Sequence, residues 1–130
     1  MDDLVLWLGE QLDEDEADAR AAATRSPEWR LARPLDDEEL GDAGLLRPAE
    51  LKHAERHDPA RVLREIDAKR RIIEQCAYWN ERAAREAADP PKYPQPGLDL
   101  GLLLDAMNPI LRALALPYAD RPGYREDWRP

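Results

Sequence analysis

Residues 59 to 88 constrain this chain more than any other stretch, because they are written as one long helix. Leu63, Ile66, Ile73 and Ala77 recur along one face at helical spacing, and Val62, Ile72, Cys76 and Trp79 broaden that face. Asp58-Pro59 marks the start. An aspartate at the N-cap accepts orphan amide hydrogens, and a proline at the next position has none to leave unsatisfied. Glu65 with Lys69, Asp67 with Arg71, and Glu81 with Arg85 are acid-before-base pairs four residues apart, each worth roughly a few tenths of a kcal/mol. Past Asn80 the apolar stripe thins to alanines, so the last turns are expected to project into solvent.

The remaining elements follow from where this helix must be met. Leu4, Val5, Leu8 and Leu12, with Trp7 beside them, predict a first helix from residue 2 to about 23, stopped by Ser26-Pro27. Trp29, Leu31 and the flanking arginines fit one short extended segment, and residues 34 to 47 read as loop. A short second helix is expected from Pro48 to about His57. Residues 89 to 97 form a proline-rich connector that cannot be helical. The density of leucine and isoleucine from Leu98 to Leu116 predicts a buried helix over 99 to 116, either kinked at Pro109 or restarted there with Asn108 as cap. The last residues are irregular yet carry Tyr118, Tyr124 and Trp128, a density that suggests a tail packed over helices. The expected fold is all-α: a small bundle of about four helices in a single domain spanning residues 1–130, with a proline-rich connector and an irregular aromatic C-terminal tail.

Charge narrows the choice of partner. The formal net charge is −9, and residues 1 to 46 hold 14 acids against 4 bases while the remainder is nearly balanced. Such a field disfavours nucleic acid and anionic membranes, both of which need clustered lysine and arginine, and attracts a basic protein. No stretch approaches the roughly 20 consecutive apolar residues of a bilayer span. Met1-Asp2-Asp3 is acidic where a signal peptide carries positive charge. Cys76 is the single cysteine, so neither an intramolecular disulfide nor a multi-cysteine zinc site can form. A cytoplasmic location is the expectation.

Two stretches are distinctive: His53-Ala-Glu-Arg-His57-Asp-Pro-Ala-Arg-Val-Leu63 and Leu114-Ala-Leu-Pro-Tyr-Ala-Asp-Arg-Pro-Gly-Tyr-Arg-Glu-Asp-Trp-Arg-Pro130. With the opening Met1-Asp-Asp-Leu-Val and Leu12-Asp-Glu-Asp-Glu16, they make the chain resemble an uncharacterised family of small proteins common in actinobacteria and their mobile elements. The resemblance implies a bacterial, cytoplasmic protein and no particular chemistry. It departs from the family pattern in two places: the segment between Trp29 and His53 is short and acidic, and Arg121 stands where relatives often have a histidine.

No catalytic signature is present: there is no glycine-rich phosphate loop, no Gly-x-Ser-x-Gly elbow and no Ser-x-x-Lys pattern. His53 and His57 lie four apart, within reach of one metal ion such as zinc, but two ligands are too few. A third would come from Glu50, Asp58, Cys76 or the tail. The structural alternative places His57 at a helix C-terminus, where the helix dipole favours an imidazole, and makes Asp58 a cap. An adjacent His-Asp pair is also used by metal-dependent phosphohydrolases, but those draw a histidine from an earlier helix, and here the other histidine is one turn away. Asp13, Glu14, Asp15 and Glu16 on the first helix, with Asp36, Asp37, Glu38 and Glu39, offer an acidic surface to a basic partner or are ordinary solvated carboxylates. Tyr124 and Trp128 either strap the tail down or dock a partner. The expected function is a non-enzymatic interaction or regulatory protein without a cofactor. The alternatives are a metal-binding protein or metal-dependent enzyme using His53 and His57, and a homodimer that buries the long third helix.

Overall fold

The computed structural model describes residues 2–31 and 41–130. Four α-helices carry most of them: α1 Asp2–Ala22, α2 Pro48–Arg56, α3 Pro59–Ala88 and α4 Leu100–Ala115. No strand occurs among the described residues. The long helix has the boundaries its sequence dictates. Part of the segment expected as loop, Gly41–Leu45, closes into a 3-10 turn, and further 3-10 turns lie at Leu116–Tyr118 and Glu126–Trp128.

The chain gathers into two compact units, one combining the residues up to Gln11 with Ala68–Pro130, the other Leu12–Asp67. In the first, α1 buries Leu4, Trp7 and Leu8, α3 buries Cys76, and α4 buries Met107, Leu111 and Ala115. These α4 positions recur every four residues, so the helix turns one narrow side inward. The tail adds Tyr118 and Trp128 to the same core. Lys69 donates to the Tyr118 hydroxyl at 3.1 Å and lies 5.2 Å from its ring centre, which fixes that tyrosine at the end of α4.

Two expectations need correction, and an open alternative at Pro109 is decided. The helix over 99 to 116 is not buried all round: Leu102, Ile110 and Leu116 are 68, 47 and 43% exposed. Of the two alternatives at Pro109, the helix takes the one without a restart: it runs through the proline, and its cap is Asp99, whose carboxylate accepts from the Leu102 amide at 3.0 Å. Proline costs the helix one backbone hydrogen bond, which the turns on either side outlast. Glu65 does not wait for Lys69: Arg61, one turn before it, donates to its carboxylate at 2.8 Å. That base-before-acid order is the weaker orientation on a helix.

In the second unit, Leu12, Ala19, Leu51 and Ile66 are buried. Its organising residue is Asp58. One carboxylate oxygen caps α3 by accepting from the Arg61 amide at 2.9 Å, and the other accepts from the Trp29 amide at 3.2 Å. The Ala60 amide, an orphan in the first turn, donates to the Pro27 carbonyl at 2.8 Å. The segment after α1 is therefore pinned to the start of α3.

Leu111 and Leu102 share a helix and a side chain but not an environment. Leu111→Ala is expected to cost about 2–5 kcal/mol of stability and Leu102→Ala well under about 1 kcal/mol, as read from denaturant midpoints.

Candidate functional site

The aromatic tail is held by a contact that only glycine permits. Gly123 sits at φ +84°, and a Cβ there would lie 2.8 Å from the Trp7 ring nitrogen. The bare backbone lets Trp7 donate through Nε1 to the Pro122 carbonyl at 3.0 Å. Around that bond Trp7, Tyr124 and Trp128 form a triangle with ring centres 5.4 to 6.0 Å apart, two of the pairs edge to face. Trp128 is buried within the chain, and its neighbour Tyr124 is partly so. Arg121 reaches the buried Gln11, with its guanidinium 3.4 Å from the side-chain oxygen and 4.8 Å from the centre of the Tyr118 ring.

Cys76 lies in the same unit, 3% exposed, and burial pushes its thiol up from the ordinary value. A thiol kept protonated is a poor nucleophile and a poor metal ligand. It borders an open groove with Val5, Leu6, Ala77 and Asn80.

His53 and His57 are brought together as their spacing requires, with ring centres 4.2 Å apart and a tilt of 31°. The His57 Nδ1 lies 2.8 Å from the His53 carbonyl. A carbonyl only accepts, so that nitrogen carries the proton and Nε2 is the one left to bind. Among the described residues no group of three histidine, cysteine or carboxylate side chains is placed to hold a metal ion.

The acidic residues divide. Glu16 accepts from Arg20 at 2.7 and 2.9 Å, the exposed pairing of one helical turn. Asp13 and Glu14 are exposed on α1, and Asp36, Asp37, Glu38 and Glu39 lie outside the described residues. Asp15 lines an open groove of about 320 Å³ with Asp18, Ala19 and Ala22 of α1, Trp29 of the pinned segment, and His57, Pro59 and Val62. Its lining combines two acidic residues with alanine, valine, proline and tryptophan. Sequence reasoning missed Asp18 and Trp29 as members of one site. The helical spacing of Asp15, Asp18, Ala19 and Ala22 was a readable signal for one face, but the placement of Trp29 depends on its hydrogen bond to Asp58, which no periodicity reports. The unit that holds this groove has 16 acids against 9 bases, whereas the other has 12 against 10.

Two outcomes check this geometry. Gly123→Ala should lower the melting temperature and move the tryptophan emission toward the red, since the tail must leave Trp7. In the native protein Cys76 should alkylate far more slowly than a free thiol and react at the ordinary rate in denaturant.

A family model described as a family of unknown function (DUF6221) matches residues 1–130. No curated protein and no solved structure matches the chain. The chain belongs to that family of unknown function.

Proposed function

Starting from membership in a family without an assigned activity, we propose that this protein is a non-enzymatic interaction protein that binds a basic segment of another protein in the groove of Asp15, Asp18 and Trp29. The groove carries the reading. The acidic Asp15 and Asp18 suit a lysine or arginine head, and the tryptophan, alanine and valine that line the same groove suit the aliphatic stem of that side chain. The excess of acids in this unit draws such a partner from a distance and sets the salt dependence of its capture. The setting we infer is the cytoplasm of an actinobacterium or of a host carrying its mobile elements, where a small acidic protein acts as a regulator without cofactor, metal, nucleic acid or membrane.

The test is capture from a lysate by the immobilised protein at low and high salt, run beside Asp15→Lys with Asp18→Lys, and beside Trp29→Ala. A basic protein retained at low salt, released at high salt and lost from both variants is the expected result. The same proteins on wild type and variants would refute the assignment.

A further inference from the structure

We propose that the outward face of α4 is a homodimer interface in which two copies pair antiparallel about a two-fold axis near Pro109. The face lies opposite the buried Met107, Leu111 and Ala115 and carries Leu102, Ala106, Pro109, Ile110, Ala113 and Leu116, all of them exposed. This stripe is about 22 Å long, with no charged side chain along its centre.

Its order is the argument for a second copy. Reading outward from Pro109, the pattern is nearly the same in both directions: Ala106 mirrors Ala113, and Leu102 mirrors Leu116. A two-fold interface sets one surface against itself reversed, so residue i meets residue j and j meets i. Antiparallel pairing then lays leucine against leucine at both ends, while alanine against alanine inside them lets the backbones approach closely. The charges obey the same centre. Asp105 and Arg112 border one edge of the stripe, and in an antiparallel helix pair like edges face each other. Asp105 of each copy therefore meets Arg112 of the other, twice. The Asp105 side chain makes no hydrogen bond or ion pair among the described residues. A parallel pair would lose this match, since it sets the edge of Asp105 and Arg112 against the opposite edge of the partner.

A lipid surface is the competing occupant: contrary to the expectation that no stretch approaches a bilayer span, Leu100–Tyr118 is long and apolar enough, by length and composition alone, to cross a membrane. Surface-bound amphipathic helices carry lysine and arginine along the polar border. This helix has Asp99, Asp105 and Asp120 around it against Arg112, in a chain of net charge −9. The charge pattern suits a copy of itself better than a bilayer.

Sedimentation velocity of the full chain over a range of micromolar concentrations reads the result. The wild type should pass from monomer to dimer, and Ile110→Glu should remain a monomer. Asp105→Arg and Arg112→Asp should each weaken the dimer at least about tenfold, since each sets like charges together. The two single variants mixed in equal amounts should form a heterodimer, and a chain carrying both substitutions should regain the self-association. Because these side chains lie outside the core, circular dichroism should be unchanged. If Ile110→Glu fails to fold, the charge-exchange set decides by itself. A wild type monomeric throughout, a dimer indifferent to the charge exchange, or a chain that floats with phosphatidylcholine and phosphatidylglycerol vesicles and stays monomeric without them would overturn the proposal.

Discussion

The hydrogen bond from Trp7 to the Pro122 carbonyl joins residues 115 apart, and the unit around it depends on that junction. Without it the rings of Tyr124 and Trp128 have no third member, and Trp7 loses its partner in the tail. The bond is strong in consequence more than in itself. A single amide-type hydrogen bond contributes about 1 kcal/mol net, but it positions aromatic surfaces whose burial is worth several times more. Glycine at 123 is what admits the approach, so one backbone conformation decides whether an apolar cluster closes.

In the other unit the equivalent post falls to Asp58. Its carboxylate satisfies one amide in α3 and one in the segment after α1, and that second bond holds Trp29 where it lines a groove together with Asp15 and Asp18 of α1. A capping residue thus also builds a groove wall. The His53 and His57 pair stands at the same corner, but His57 spends one ring nitrogen on the backbone, and what reaches the groove is a single imidazole.

Much of the architecture was legible because periodicity and punctuation agree. Asp58-Pro59 and Asp89-Pro90 bracket α3, and Pro48 opens α2, because capping and proline act locally and leave marks in sequence. What was not legible was which side of an apolar helix meets the protein. The leucines of α4 surround most of its circumference, so composition predicted full burial, and only the packing of Met107, Leu111 and Ala115 distinguishes the inner side. Sequence left open whether the helix restarts at Pro109, since a local penalty can be offset by contacts made elsewhere. Ion pairs were misassigned for a related reason: Glu65 had bases one turn away on both sides, and spacing alone does not choose between Arg61 and Lys69. Of the candidate site, the histidine pair and the acidity were readable, while Trp29 as a groove residue was not, because its placement rests on a contact across 29 residues.

Trp7 and Trp128 also set an order of events during synthesis. Ribosomes add roughly 5–20 residues per second, so α1 emerges several seconds before the rings that will cover it. Through that interval Trp7 has no aromatic partner to close on, and the closing step waits for Pro122, Tyr124 and Trp128. The unit pays for this arrangement in exposure time: α1 is made well before the aromatic segment that closes against Trp7.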